Sequence, residues 1–427
     1  MKKTTYPQVG ESLYREVLSN GLTVLVLPRP GFSRKLAYLV TDFGSIHTDF
    51  TLDGRQIHAP AGIAHFLEHK MFDLPGNRDV SAELASLGAG TNAFTSYDMT
   101  AYYISCTENF EAALKLLMEF VFTPYFTDES VAKEMGIIDQ EIGMNEDAAD
   151  SKVFENLMEN MYRSHPVRVP ILGTSETIRQ ITPQLLHDCH RAFYTPGNMI
   201  LCVVGDVDPE QVKAMALQML GEEKRSVGEK RKDWNEELTI PEAVTERRME
   251  VSMPMFHIAF KAEALGKGEE AIRQEIIADL AAEALFGESS ELYLKLYEDG
   301  LIDSSFGGGF ETIDGMAMLL CSGDSDDPYA VRDAILAQAE KLLDHGIPED
   351  QFLRMKRSAF GRRIRDLDSF SSTCFRLCAY ELSEFDYFEF PRVYAAVEAA
   401  DLLEFLGRIV RPERCAVSII YPSKEEA

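Results

Sequence analysis

Two histidines and a glutamate stand together in the segment His65-Phe66-Leu67-Glu68-His69. On a helix, residues four positions apart project from one face, so His65 and His69 can reach the same cation. Glu68 lies beside them, and its carboxylate can approach a metal-bound water without being a ligand. Zinc lowers the pKa of bound water toward about 7, and a nearby carboxylate can then accept its proton. The order H-x-x-E-H therefore indicates a zinc site for hydrolysis with Glu68 as general base; two surface histidines on an amphipathic helix are the alternative.

A catalytic zinc needs a further protein ligand, because it normally has three and keeps one position open. The segment 133–147, KEMGIIDQEIGMNED, offers Glu134 and Glu141 on one helix face, seven residues apart. In that arrangement Glu141 can bind the metal while Glu134 supports the site from one and a half turns away. Spacing alone leaves the choice among Glu134, Glu141 and Glu146 open, and solvated helix carboxylates are the alternative for each.

The elements that would hold these residues alternate between strands and helices. Apolar runs predict strands at 22–27, 36–40, 101–105 and 199–204, and helical spacing predicts helices at 61–72, 80–87, 110–122 and 128–147. The stretch 221–243 is polar, highly charged and without periodicity, which is typical of a linker. We therefore predict a zinc-bearing domain over 1–220, a linker over 221–243 and a second domain over 244–427.

The second half repeats the order of elements of the first. Residues 64–72, AHFLEHKMF, align with residues 278–286, ADLAAEALF, which places Asp279, Ala282 and Glu283 where the first half has His65, Glu68 and His69. The second domain is thus predicted to lack the metal motif. The predicted fold class is α+β: two homologous halves, each a mainly antiparallel sheet covered by helices.

Bulk composition excludes several classes of protein. The chain of 427 residues is 45% hydrophobic and 26% charged, which is typical of a globular protein with more than one core. A formal charge of −28 argues against a nucleic-acid partner. No apolar run approaches the roughly 20 residues of a membrane helix, the first residues do not resemble a signal peptide, and seven scattered cysteines contain no C-x-x-C pair. We expect no membrane insertion, reduced cysteines and a cytoplasmic location.

Four segments together resemble the insulinase or pitrilysin family of zinc peptidases. They are NGLTVLVLP at 20–28, GIAHFLEHKMF at 62–72, GAGTNAFTSYDMTAYY at 88–103, and the E-x6-E pair of Glu134 and Glu141. The resemblance covers most of the first half, whereas the second half is similar only in layout. It implies an endopeptidase acting on extended peptides, with one zinc ion per chain held by His65, His69 and Glu141, and with Glu68 and Glu134 as catalytic and supporting carboxylates.

The resemblance also implies a place for the substrate. The run from Thr91 to Thr95 is similar to the family's edge strand, along which a peptide is bound as an added strand. Asn92 would contact the scissile region through its side-chain amide, and Ala93 and Phe94 would contact it through the backbone. An ordinary turn and strand is the alternative for this run.

The sequence departs from the family in ways that concern partners. Members that act alone have an arginine and, seven residues later, a tyrosine in the second half, and the corresponding positions here are Leu296 and Asp303. This pattern is similar to bacterial members in which a zinc-bearing chain pairs with a related chain lacking zinc. We therefore expect a heterodimer whose partner supplies the Arg/Tyr pair, with a homodimer as the alternative assembly. A non-catalytic scaffold or assembly subunit is the alternative function.

Overall fold

The computed structural model describes residues 1–76, 78–231 and 233–423, and these form two compact units. Unit 1 consists of residues 1–142, 170–231 and 364–389. Unit 2 consists, among the described residues, of 143–169, 233–363 and 390–423. Residues 77, 232 and 424–427, which fall within the predicted domains and linker, lie outside the described residues. The domain limits 1–220 and 244–427 stay a prediction, because the compact units do not coincide with the two sequence halves: each unit includes one segment from the opposite half.

Unit 1 contains a seven-stranded sheet with the strand order β1-β2-β3-β11-β4-β10-β9. Its central strand β11 is buried at every residue, which explains why this strand is a continuous apolar run. Two small sheets accompany it, β12-β5-β6 and β7-β8. The strands of unit 1 are β1 (Lys2–Tyr6), β2 (Glu11–Val17), β3 (Thr23–Pro28), β4 (Lys35–Thr41), β5 (Asp49–Leu52), β6 (Arg55–His58), β7 (Asp73–Leu74), β8 (Arg78–Asp79), β9 (Gly90–Thr95), β10 (Thr100–Cys106), β11 (Met199–Gly205) and β12 (Glu229–Lys230).

Unit 2 contains a five-stranded sheet with the order β13-β17-β14-β16-β15. Its strands are β13 (Val244–Met249), β14 (Met255–Ala262), β15 (Gly307–Ile313), β16 (Met316–Asp324) and β17 (Cys415–Pro422). One pair, β13 with β17, is parallel, and all other neighbours are antiparallel.

The two sheets share one topology. In unit 1 the strands β3, β11, β4, β10 and β9 are paired in the same order and with the same directions, including a single parallel pair between β3 and β11. The predicted α+β fold of two related halves is therefore confirmed. The predicted strands and helices of the first half also agree with the observed ones to within about two residues at most ends, as expected for helix and strand boundaries.

Helices cover both sheets. The helices are α1 (Ile63–Lys70), α2 (Val80–Ser86), α3 (Phe110–Phe122), α4 (Asp128–Glu146), α5 (Ala149–Met161), α6 (Ser175–Ile178), α7 (Pro183–Phe193), α8 (Pro209–Leu220), α9 (Glu269–Phe286), α10 (Glu291–Glu298), α11 (Pro328–His345), α12 (Glu349–Arg365), α13 (Phe370–Leu382), α14 (Phe390–Ala396) and α15 (Ala399–Ile409). Along the chain, helix α9 lies between β14 and β15, just as α1 lies between the corresponding strands β4 and β9 of unit 1.

One helix of each unit comes from the opposite half of the sequence. Helix α13 packs against β4 and β11 within unit 1, and helix α5 packs against β14 and β17 within unit 2. The segment 221–243 is correspondingly not a free linker, since β12 pairs with β5 and Trp234 is buried. A chain cut near residue 243 would leave the unit 1 sheet without α13.

Removal of a core side chain from α13 should therefore destabilise unit 1. Leu377 is 3% exposed, whereas Phe375 on the same helix is exposed. We expect Leu377→Ala to lower the free energy of unfolding by about 2–5 kcal/mol. Phe375→Ala, which deletes a larger but exposed side chain, is the matched control and should cost much less. Denaturant unfolding measures both, and equal losses would show that α13 does not contribute to the core in this way.

Candidate metal centre

Helix α1 is short and almost wholly buried. It begins after Gly62, whose φ of 90° and whose close approach to the Leu172 carbonyl oxygen, 2.4 Å from where a Cβ would lie, both require glycine. Within the helix His65 and Glu68 are each only 8% exposed. Burying polar side chains to this extent is costly unless they have partners, so their surroundings indicate what they do.

The two histidines of α1 face Glu141 of α4. His65 Nε2 lies 3.6 Å from one Glu141 carboxylate oxygen, and His69 Nε2 lies 3.8 Å from the other. All three ligand-type atoms lie within 4.8 Å of one another, and no other such group of His, Cys, Asp and Glu is found in the described residues. Zinc bonds of about 2.0–2.2 Å place tetrahedral ligand atoms about 3.3–3.6 Å apart. The three side chains therefore fit a zinc ion with a small contraction.

Glu134 lies on the far side of the His69 ring. Its carboxylate is 3.0 Å from His69 Nδ1, so it orients the ring and leaves Nε2 facing Glu141. The hydrogen bond to Glu134 raises the pKa of His69. Burial alone would raise the pKa of Glu134, but the hydrogen bond and charge of His69 outweigh it and lower that pKa. Of the three glutamates left open by spacing, Glu141 is the ligand candidate, Glu134 supports the ring, and Glu146 is outside the cluster of ligand atoms.

His65 is a neutral imidazole at ordinary pH. Burial, and then the charge of His69, lower its pKa to about 4. Its Nδ1 atom is buried and has no hydrogen-bond partner among the described residues. A neutral ring whose Nε2 faces a carboxylate is suited to bind a metal, since imidazole coordinates only when deprotonated.

Glu68 is not one of the three ligand candidates, and its carboxylate is bound by a hydroxyl. Thr95 Oγ1, at the end of β9, donates a hydrogen bond of 2.6 Å to Glu68 Oε2. Burial raises the pKa of Glu68, against the opposing effect of the Thr95 hydrogen bond. A carboxylate with a raised pKa beside a candidate metal position can accept and return a proton more readily than an ordinary one.

The predicted substrate residues lie on β9, at the open edge of the unit 1 sheet. This strand pairs with β10 on one side and is the last in the order, so its other edge has no strand beside it in the described part of the chain. Asn92 is exposed, and its Oδ1 accepts a hydrogen bond from the Ala93 N–H. The Phe94 ring lies 6.0 Å from the Phe375 ring of α13. Helix α1 packs against the same strand, so the open edge borders the metal candidates.

The two second-half positions assigned to an Arg/Tyr pair carry no suitable donor. Leu296 is 2% exposed and packs within unit 2. Asp303 is exposed, and its carboxylate accepts a hydrogen bond of 2.7 Å from the Ser305 N–H. The place of the metal motif in α9 also has different chemistry: Asp279 accepts from the Phe310 N–H at 3.4 Å, and Glu283 accepts from Arg362 at 2.7 Å.

Two residues near the site were not singled out by sequence reasoning. One is Thr95. The other is Lys70, whose long charged side chain is only 1% exposed. The Lys70 ammonium donates to Asp73 and, at 3.4 Å, to the Ser130 carbonyl oxygen in the first turn of α4. It thereby ties the end of α1 to the start of the helix that carries Glu134 and Glu141. The one sequence signal for this contact between helices is a charged residue, Lys70, directly before the apolar pair Met71-Phe72.

Known proteins match this chain over nearly all of its length. The profile described as Insulinase (Peptidase family M16) matches residues 57–175, and the profile described as Peptidase M16 inactive domain matches residues 180–359. A Bacillus subtilis protein named uncharacterized zinc protease YmfH is 36% identical over 99% of both chains. The chain belongs to the insulinase family, M16. The range matched by the first profile includes both histidines, Glu68, Glu134 and Glu141. The range matched by the second includes α9, where the motif is missing.

Solved structures of M16 proteins have the same fold. An M16-like protein from Alicyclobacillus acidocaldarius superposes with a TM-score of 0.92 at 30% identity, covering 97% of this chain and 99% of that one. Pitrilysin superposes with a TM-score of 0.78 at 19% identity, over 98% of this chain and 46% of that one, which shows likeness of fold alone. Among the described residues, no helix is long and apolar enough to cross a membrane.

The division of roles between the two glutamates can be tested on metal affinity. Glu141→Ala removes a ligand candidate and should abolish stoichiometric zinc binding, because two histidines alone lack the third ligand of a catalytic site. Glu134→Ala should weaken zinc binding by only about 10–100-fold, since it removes support for the His69 ring. Zinc titration of the apoprotein measures both, with Glu146→Ala as the control on the same helix. Loss of zinc in Glu134→Ala with retention in Glu141→Ala would reverse the assignment.

Proposed function

We propose that this M16 protein is a zinc-dependent endopeptidase that hydrolyses extended peptides. The observation that carries the proposal is the convergence of His65, His69 and Glu141 within 4.8 Å, beside the buried carboxylate of Glu68. Names of relatives support the peptidase class. The site's position under an open sheet edge supports the peptide substrate.

His65, His69 and Glu141 would hold one zinc ion per chain. Bound zinc supplies Lewis acidity at this point of the site. Glu68 acts as the general base. Its Oε2 accepts a hydrogen bond from the Thr95 hydroxyl, which leaves Oε1 to take a proton from the attacking water. The same oxygen then gives the proton to the leaving amine, so the carboxylate is regenerated after each turnover.

The substrate would lie along β9 as an added antiparallel or parallel strand. Backbone hydrogen bonds to an open edge recognise an extended peptide with little dependence on its sequence. In this arrangement Ala93 and Phe94 bind through their backbone groups, and Asn92 offers its exposed side-chain amide. The place of α1 against the same strand would bring the scissile bond next to Glu68 and the metal ligands.

A related chain without zinc would complete the site. Peptide hydrolysis develops negative charge on the carbonyl oxygen, and donors aimed at that oxygen stabilise it. Leu296 has no polar group and is buried, while Asp303 carries negative charge. A homodimer would supply the same two residues again, so we favour a heterodimer whose second chain has an Arg-x6-Tyr pair. A cytoplasmic location, in which the seven free buried cysteines stay reduced, also stays a prediction.

A non-catalytic scaffold or assembly subunit is the second candidate function. A scaffold has no need to maintain two histidines, a glutamate ligand candidate, an orienting glutamate and a buried base in mutual register. The intact arrangement favours the enzyme.

Replacing Glu68 by glutamine separates catalysis from metal binding. The ligand candidates remain, so zinc should bind as before, while hydrolysis should fall by about 10²–10⁴-fold because the proton acceptor is lost. Cleavage of a quenched peptide library and metal content measure the two effects on the same preparation. Undiminished hydrolysis by zinc-loaded Glu68→Gln protein would disprove the general-base role.

The need for a partner is tested by mixing. The purified chain alone should hydrolyse peptides weakly, and a related chain bearing an Arg-x6-Tyr pair should raise the rate by about 10²–10³-fold for each donor it supplies. A partner in which that arginine is replaced by leucine is the control, because it can still associate. Rapid turnover by the chain alone, with no increase on mixing, would contradict the heterodimer.

A further inference from the structure

We infer that Thr95 is the residue that positions the general base, and that it links the base to the strand on which the peptide is bound. The inference rests on the proposed function, since it concerns the alignment of Glu68 during hydrolysis. It assigns a role to a hydroxyl that belongs neither to the ligand candidates nor to the predicted substrate residues.

The hydroxyl of Thr95 is well fixed before it meets Glu68. Thr95 is the last residue of β9 and pairs with Thr100 of the neighbouring strand β10. The Thr100 hydroxyl lies 3.4 Å from Thr95 Oγ1 and donates to the Phe43 carbonyl oxygen at 2.8 Å. Thr100 is completely buried. Thr95 therefore extends its hydroxyl from a strand end that is paired with a buried residue, and its one proton goes to Glu68 Oε2.

A glutamate on a short helix needs such a contact to be aimed. The Glu68 side chain has three rotatable bonds, and no other side-chain hydrogen bond to it is found among the described residues. Hydrogen bonds to a charged carboxylate are short and strong, as the distance of 2.6 Å indicates. Holding Oε2 restricts the positions open to Oε1, the atom that would meet the attacking water in the proposed function. Misplacement of a reacting group by about 1 Å can cost about 10²-fold in rate.

The same strand carries the substrate edge. Residues from Gly90 to Thr95 pair with β10 along one side, and no described strand pairs with the other side, where a peptide would be bound. The strand that would align the scissile bond thus also aligns the base, through a single side chain at its end. Thr95 is a positioning residue in this sense: it acts on the reaction only through Glu68.

The test compares variants that differ in the hydroxyl alone. Thr95→Val keeps the shape of the side chain and removes the donor, whereas Thr95→Ser keeps the donor. In the complete zinc-loaded assembly that cleaves the quenched peptides, we expect Thr95→Val to lower kcat by about 10–100-fold, with KM and zinc affinity unchanged. Thr95→Ser should restore kcat to within a few-fold of the parent protein. Thr41→Val is the control and should leave kcat unchanged. It removes another buried hydroxyl of the same sheet, one that donates to the Phe193 carbonyl oxygen at 2.7 Å.

A double-mutant comparison separates positioning from general damage to the fold. In Glu68→Gln protein the base is already lost, so adding Thr95→Val should lower the residual rate little further, because both changes act on the same step. Parent kcat in Thr95→Val, or Thr95→Ser as impaired as Thr95→Val, would overturn the inference. If Thr95→Val does not fold, Thr95→Ala replaces it with the same expectations. Full activity in Glu68→Gln would instead overturn the proposed function, so the two failures are distinguishable.

Discussion

The burial of helix α1 is the constraint on which the site depends. Burial leaves His65 and Glu68 little contact with water, so a polar atom without a protein partner is costly there. His69 has Glu134, Glu68 has Thr95, and Lys70 has Asp73 and Ser130. His65 Nδ1 remains without a partner among the described residues, and the Nε2 atoms of both histidines face the Glu141 carboxylate. The charge of Glu141 disfavours the charged form of Glu68, and a divalent cation would offset that repulsion.

The related unit shows how the same fold is maintained without a metal. Helix α9 stands where α1 stands in the shared topology, yet its polar residues are satisfied by protein groups. Burial, and then the nearby Glu275, raise the pKa of Asp279 to about 7, so this carboxyl can exist uncharged and accept from the Phe310 N–H. Glu283 is neutralised by Arg362. Topology is therefore common to both units, while chemistry depends on which side chains face the space beside the helix.

Sequence patterns predicted what is local and left undetermined what is tertiary. Helical spacing over 61–72 predicted helix α1, and helical geometry then placed His65 and His69 on one face of it. Spacing did not choose between Glu134 and Glu141, since both lie on one helix face and the choice depends on which nitrogen of His69 each meets. The contact of Thr95 with Glu68 and the tie of Lys70 to Ser130 were missed for the same reason, because these pairs are 27 and 60 residues apart in sequence. The packing of α13 on the unit 1 sheet was equally unpredictable, because amphipathic periodicity indicates a buried face but not its partner.

An open sheet edge beside the site sets a further condition. An exposed edge strand can pair with any extended chain, including another copy of the protein, and native proteins limit this by making such strands short and polar. Strand β9 has six residues, begins with glycine and exposes Asn92. The opposite edge strand, β1, carries Lys2 and Lys3, both of which are exposed. The charged edge disfavours pairing outright. Strand β9 has no charged side chain to repel another strand, and an edge that accepts a peptide must be free of such repulsion. The hydrogen bond from Thr95 to Glu68 holds the end of β9 in place.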